Sequence, residues 1–258
     1  MQQPSLEEAT DKTYHNAYRG RYDPKSANPY KISRSKIELY HECPRCFYLD
    51  RRLGVERPSW PKFTLNLAVD ALLKKEFDIH RAKGQIHPLM EAYKIDAIPF
   101  AHGDIGKWRD TFRGLEFLHS ATNLLIHGAI DDLWQSPNGD LIVVDYKATA
   151  RAGEVSIDGF WQKSYKRQME IYQWILRRMG FAVSATGYFV YANGRTDPKA
   201  FDGKLEFNVT VIPYKGDEGW VETAIEDLHK CLTADSPPPA SANCEYCRYW
   251  KARILKKT

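Results

Sequence analysis

Between residues 63 and 84 apolar side chains return at helical spacing. Leu65, Val69, Leu72, Leu73 and Phe77 fall on one periodic set, and Gly84 follows as a stop. The same period runs through SYKRQMEIYQWILRRMG, closed by Gly180, and through WVETAIEDLHKCL. These are the three main predicted helices. Earlier, SRSKIELYHECPRCFYLDRRLG predicts short helical segments broken near Pro44, with Ser33 or Ser35 as N-cap and Gly54 as stop. IHPLMEAYKIDAIPF, punctuated by Pro88 and Pro99, reads as loop.

LLIHGAIDDLW and GDLIVVDYKAT predict adjacent antiparallel strands, with SPNG supplying the turn between them. The aromatic-rich ATGYFVYANG and then KLEFNVTVIPY predict two further strands. Residues 1–30 are polar, proline-containing and aperiodic, which predicts a flexible tail. DSPPPASAN predicts a linker to the last cysteines. There is no internal repeat, and the element order predicts one mixed α/β domain over residues 31–258.

Composition narrows the class. At 258 residues, with 43% hydrophobic and 27% charged residues, the chain has the makings of a substantial buried core. A net charge of +4 is compatible with a polyanionic partner but does not argue for one. No apolar run is long enough to span a bilayer, and the N-terminal residues lack the apolar stretch of a signal peptide. The expectation is a soluble, cytoplasmic protein with no membrane association.

The chemistry gathers around LIVVDYKAT. Leu141 to Val144 read as a buried strand, yet the run ends in Asp145 and Lys147, which alternation places on one face, with Tyr146 on the other. Buried charge is costly unless it is paired or holds a metal. In HGAIDDLW, Asp131 and Asp132 precede the same hairpin, so strand pairing could bring Asp131 beside Asp145. Two converging carboxylates repel unless a cation sits between them. Mg2+ suits such a place, because it binds one or two carboxylates, keeps waters and completes its shell with phosphate oxygens. A metal-bound water, with Lys147 to orient it and offset developing charge, makes a set of parts for phosphodiester hydrolysis.

Four of the five cysteines form two CxxC pairs, Cys43 with Cys46 and Cys244 with Cys247. In a cytosolic chain such pairs point to a metal more than to a disulfide. A site divided between the two ends of the chain would clip them together. A two-plus-two thiolate set suits tetrahedral Zn2+ as well as an iron–sulfur cluster. Cys231, ahead of the proline-rich linker, is expected to pack as a small hydrophobe.

GAID with Gly128 and Asp131, DYK with Asp145 and Lys147, and QMEIY with Gln168 and Tyr172 resemble motifs of the PD-(D/E)XK nucleases. The likeness is nearest to the RecB-like exonuclease branch and its CRISPR-associated iron–sulfur members, which CPRCFY and CEYCRY also resemble. It runs from about Ser33 to Tyr249. The resemblance implies a restriction-endonuclease-like α/β core, a mixed central sheet flanked by helices, with the N- and C-terminal segments joined by a cysteine metal site. It also implies DNA cleavage with Mg2+ or Mn2+, exonuclease-like on single strands or overhangs, and a [4Fe-4S] cluster or Zn2+ at Cys43, Cys46, Cys244 and Cys247. CRISPR-adaptation or repair proteins are the expected partners besides DNA. Gln168 and Tyr172, four apart on a helix, would line the DNA side together with Tyr165, and Lys166 and Arg167 would contact phosphates.

The chain departs from the branch in two places. Its GxxxH helix pattern reads here as Asn66 and Asp70, which makes Asp70 a metal ligand beside Asp131 and Asp145; Glu76 is the rival on the same helix. The last cysteine expected after Cys247 is absent; Cys46 could substitute, with Cys231 as the other candidate. His80 and His87 are expected at the surface, while Trp134, Trp161 and Trp174 are candidates for core packing or base stacking. Besides a deoxyribonuclease, the pattern admits a catalytically silent nucleic-acid-binding scaffold or an RNA-processing enzyme on the same fold.

Overall fold

The computed structural model of the protein describes residues 20–59, 63–159 and 162–255; most of the expected N-terminal tail and Trp161 lie outside them. In chain order the elements are β1 (Tyr30–Ser33), α1 (Arg34–Glu42), α2 (Pro44–Tyr48), a π-type turn (Leu49–Leu53), α3 (Thr64–Lys83), α4 (Pro88–Ala92), β2 (Ile98–Pro99) and α5 (Ile105–Trp108). There follow β3 (Leu115–His119), β4 (Leu124–Gly128), β5 (Asp132–Gln135), β6 (Leu141–Thr149), α6 (Gln162–Arg178), β7 (Thr186–Gly194), β8 (Phe207–Lys215), α7 (Val221–Thr233) and α8 (Glu245–Leu255). Two compact units result, one within Pro61–Phe117 and His127–Val221, the other within Met1–Trp60, Leu118–Ile126 and Glu222–Thr258.

The first of these is built on a five-stranded sheet ordered β2-β5-β6-β7-β8. β5 and β6 pair antiparallel as the hairpin pattern predicts, β6 and β7 run parallel with α6 as their crossover, and β7 and β8 are antiparallel. The sheet is therefore mixed, with helices against it. On one face Ile142, Val144 and Tyr146 of β6 join Trp134, Val190, Val211 and Phe77 of α3 in a buried cluster. Phe77 stacks on Trp134 with ring centroids 5.5 Å apart and on His87 at 4.1 Å. Of the predicted apolar set of α3, Val69 and Phe77 are buried and Leu73 packs in part against the cluster, whereas Leu65 and Leu72 are exposed; the helix ends as predicted at Gly84 in the left-handed region, φ 61°.

The other face of the sheet meets α6. A Cβ at Gly187 of β7 would stand 2.4 Å from the Met169 sulfur and 2.8 Å from the Val143 carbonyl oxygen, so the helix approaches the strands only because that position has no side chain.

Three expectations need correction. IHPLMEAYKIDAIPF is not a plain loop: Pro88 opens α4, capped by the His87 side chain, and Ile98–Pro99 forms an edge strand against β5. LLIHGAIDDLW is not one strand, since Leu124–Gly128 joins a three-stranded sheet ordered β1-β4-β3 and only Asp132–Gln135 pairs with β6. His87 is buried rather than at the surface, with its ring between Phe77 and His80. Alternation cannot foresee a strand that changes sheets, because both halves carry the same apolar pattern.

One buried charge cluster positions the site. Asp132 is fully enclosed, and its Oδ1 accepts from Arg81 at 2.5 Å, from Arg109 at 2.7 Å and from the Leu133 backbone N–H at 2.8 Å. Its Oδ2 accepts the Tyr146 hydroxyl at 2.7 Å. Burial, reinforced by Asp132, pushes the Tyr146 phenol well above its usual range, so it serves as a neutral donor. Arg109 also spans both oxygens of Asp78, and Arg81 reaches the Phe100 carbonyl. The cluster ties α3, the segment after α5, β5 and β6 to one carboxylate.

In the second unit, Cys43 separates α1 from α2 and its N–H returns to the Leu39 carbonyl. The Tyr48 hydroxyl donates to the Ala234 carbonyl at 3.0 Å, just past α7, whose Ile225, Leu228 and Leu232 are buried. No helix among the described residues is long and apolar enough to cross a membrane.

Removing one partner of a buried ion cluster leaves the others without compensation, which typically costs about 3–5 kcal/mol. Asp132→Ala is expected to destabilise by that order in urea denaturation followed by circular dichroism, far more than exposed Asp96→Ala.

Candidate active site and cysteine centre

β5 and β6 pair with Asp132 opposite Val144, which sets the preceding Asp131 at the level of Asp145. Adjacent residues on a strand point to opposite faces. Asp132 turns inward to the arginines, and Asp131 turns outward and stays partly exposed. The Oδ2 of Asp131 accepts from the Tyr146 N–H at 2.9 Å, and its Oδ1 from Lys74 Nζ at 3.1 Å. Lys74, one turn beyond Asp70 on α3, also donates to Asp70 Oδ2 at 2.8 Å. One ammonium thus bridges the helix carboxylate and the strand carboxylate.

Asp145 is buried and forms an ion pair with Lys147, so the two side chains do share a face as alternation requires. The Lys147 ammonium lies 4.6 Å from the centre of the Tyr165 ring. Asp70 senses the whole group. Burial and the neighbouring Asp131 raise its carboxyl above the usual range, against the opposing pull of Lys74 and Lys147.

Asp70, Asp131, Asp145, Lys147 and Tyr165 are therefore brought together. Glu76 is not: it is mostly exposed and bonds His87 Nε2 at 2.9 Å. Gln168 and Tyr172 are both buried and face each other, Nε2 to hydroxyl, at 3.3 Å. In this arrangement both side chains are largely withdrawn from solvent. Lys166 is half-buried and pairs with Asp158 at 3.1 Å, and Arg167 is half-buried. Trp134 and Trp174 are core residues.

The donor set can be tested against a divalent ion. Carboxylate oxygens are the ligands Mg2+ and Mn2+ prefer, and two of the three acids already converge on a cation, the Lys74 ammonium. The three are not drawn into one tight shell. Among the described residues the four cysteines are the one group of three or more His, Cys, Asp or Glu donors lying within 4.8 Å of one another. Since Mg2+ is bound through one or two carboxylates with waters filling the rest, the Asp70–Asp131 pair is sufficient to hold it.

Sequence reading missed Lys74 and Tyr191, and named Asn66 only as the residue at the Gly of the helix pattern. Tyr191 sits beside Lys147 in the parallel register of β6 and β7, its hydroxyl buried. Burial, with Tyr165 and Asp145 nearby, raises its phenol above the usual range. Asn66 donates to the Ala148 carbonyl at 3.1 Å and ties the start of α3 to the end of β6. The i,i+4 spacing of Asp70 and Lys74 was the available signal for the lysine.

In the other unit the Sγ of Cys46 lies 3.6 Å from those of both Cys244 and Cys247, and that of Cys43 lies 3.9 Å from Cys247. Arg57 donates to Cys244 Sγ at 3.6 Å, and its guanidinium lies over the Tyr246 ring at 4.6 Å. Burial would raise the Cys43 thiol, but backbone N–H groups from Cys46 and Ser241 bring it down to about 6. Burial pushes Cys46 up to about 11. Cys231 stands apart and bonds the Pro44 carbonyl at 3.7 Å.

Residues 64–252 match the PD-(D/E)XK nuclease superfamily. The chain belongs to that superfamily. Its members are metal-dependent nucleases as a rule, and both the mixed sheet and the four-cysteine cluster belong to this PD-(D/E)XK protein. A solved structure described as the crystal structure of SSO0001 is similar at 17% identity, covering 89% of this chain and 87% of that one, with a TM-score of 0.41. No protein of curated function matches.

A proton competes with a metal for a carboxylate, and a raised carboxyl holds its proton to higher pH. Mn2+ binding, followed by calorimetry across a pH series, is expected to weaken at higher pH in this protein than in an Asp70→Asn variant, where Asp131 and Asp145 alone supply carboxylate.

Proposed function

We propose that this nuclease-superfamily protein is a Mg2+- or Mn2+-dependent deoxyribonuclease, acting as an exonuclease on single-stranded DNA or overhangs. The observation that carries the reading is the fixed Asp131, held by the Tyr146 N–H at the level of the Asp145–Lys147 pair and sharing one cation with Asp70. Asp70 and Asp131 would hold the ion, with Asp145 as a third ligand after a side-chain adjustment. A bound ion of this kind supplies an activated water and polarises the phosphate. Lys147, released from Asp145, would orient that water and offset charge developing on the phosphate oxygens. The Tyr165 face beneath Lys147 limits where the ammonium can turn. Lys163 is exposed and lies with Arg167 on the first turns of α6, where phosphates could be met. The preference for DNA ends rests on the RecB-like order of GAID, DYK and QMEIY.

Gln168 and Tyr172 receive a different role from the one the motif implies. Buried and bonded to each other, they shape the inner face of α6 and act on DNA only through the residues around them.

Of the two metals considered for the cysteines, we propose zinc. Four thiolates around one tetrahedral ion at about 2.3 Å stand about 3.8 Å apart; here three of the six Sγ pairs are 3.6 to 3.9 Å apart and all four sulfurs lie within 4.8 Å of one another. In a cubane cluster each cysteine takes a different iron, which spreads the sulfurs further. Arg57 would balance part of the thiolate charge.

Two experiments follow. End-labelled single- and double-stranded oligonucleotides incubated with Mg2+ or Mn2+ are expected to be shortened from an end. Lys147→Ala should slow this by about 10²–10³-fold, and Asp131→Ala or Asp145→Ala at least as much; unimpaired cleavage by any of the three refutes the site. Elemental analysis of purified protein is expected to give one zinc per chain in a colourless sample, whereas iron with acid-labile sulfide refutes the single-ion reading.

A further inference from the structure

One lysine contacts an oxygen of each carboxylate that a divalent ion would use. Lys74 Nζ stands 2.8 Å from Asp70 Oδ2 and 3.1 Å from Asp131 Oδ1. The other oxygen of Asp131 accepts the Tyr146 N–H, which fixes the orientation of this carboxylate and leaves Oδ1 toward Lys74. Oxygens bonded to Mg2+ lie at about 2.0–2.1 Å. An ammonium cannot share that space, and it would be repelled by the doubly charged ion. The side chain is 21% exposed and has four rotatable bonds, so a path outward exists.

We infer that Lys74 is a built-in counter-cation, exchanged for the divalent ion when the site is loaded. The inference rests on the reading of Asp70 and Asp131 as metal ligands. In the metal-free protein Lys74 relieves the repulsion between two carboxylates contributed by separate elements, and so holds them near the geometry an ion needs. When the pair takes an ion, Lys74 gives up both contacts and turns to the rim, where its charge meets a phosphate instead of a carboxylate. Lys74 is thus a positioning residue that lowers metal affinity while keeping the acids assembled. It adds a second cation to Lys147 only in the loaded state.

The test is Mn2+ binding by calorimetry and by electron paramagnetic resonance, with DNA absent. Lys74→Met is expected to bind Mn2+ about tenfold more tightly or better, because no ammonium has to be displaced. Its melting temperature without metal should fall, and added Mn2+ should raise it by more than in the unmodified protein. Lys74→Arg keeps the charge and the low affinity, and serves as the folded control if the methionine variant is too unstable to titrate: weakened binding relative to a Lys74→Gln variant supports the exchange. Equal affinities in all Lys74 variants, with binding lost in Asp131→Asn, would overturn the counter-cation and leave the metal site standing. Binding that survives both Asp70→Asn and Asp131→Asn would remove the metal site itself, and this inference with it.

Discussion

The arrangement depends on one buried carboxylate. Asp132 has no exposure, and it is tolerable there only because two guanidinium groups, a phenol and a backbone N–H surround it. An ion cluster of this kind adds little net stability over apolar packing, but losing any one member is expensive. Its value lies in specifying geometry. With Asp132 held inward, strand alternation forces Asp131 outward, and the hairpin register sets Asp131 level with Asp145. Arg81 carries the same constraint into α3, the helix of Asp70 and Lys74. A single fixed residue thereby orients acids from two separate elements.

Electrostatics explains why lysines stand among those acids. Burial and the nearby Asp131 raise the Asp70 carboxyl, the cost of holding acids close together and partly out of water. Lys74 and Lys147 neutralise the group from opposite sides, one bridging Asp70 and Asp131, the other paired to Asp145. On the proposed reading these are the interactions that a divalent ion and a phosphate later replace. The two lysines thus neutralise the acids in a way that a stronger cation can replace.

Much of this was legible in the residues. The apolar periods of α3 and α6, the stops at Gly84 and Gly180, and the β5–β6 hairpin all follow local rules that packing then reinforces. The neighbouring Asp131 and Asp132 were visible as a pair, yet nothing local said which one would be buried. That was decided by Arg81 and Arg109, distant in sequence by 51 and 23 positions. The same holds for Tyr191, whose place beside Lys147 depends on a parallel pairing made across a helix. His87 was misplaced because its burial comes from a stack with Phe77 that only the folded α3–α4 corner creates. Motif reading located Gln168 and Tyr172 correctly on one helix face, but a shared face does not say whether it looks outward.

On the proposed reading the two donor groups differ in a way that follows from their chemistry. Soft thiolates closed around a tetrahedral centre leave no position for water or substrate, so such a site contributes to folding and not to turnover. Hard carboxylates in a partly exposed cleft leave most of an octahedral shell open, which catalysis of phosphodiester cleavage requires. The cysteines come from positions about two hundred residues apart, so an ion there closes a very long loop and restricts the unfolded chain more than a local clip could. The acids, by contrast, lie within 76 positions of one another in α3, β6 and the turn before β5. On the proposed reading a long-range closure and a locally built acid group divide stability from chemistry.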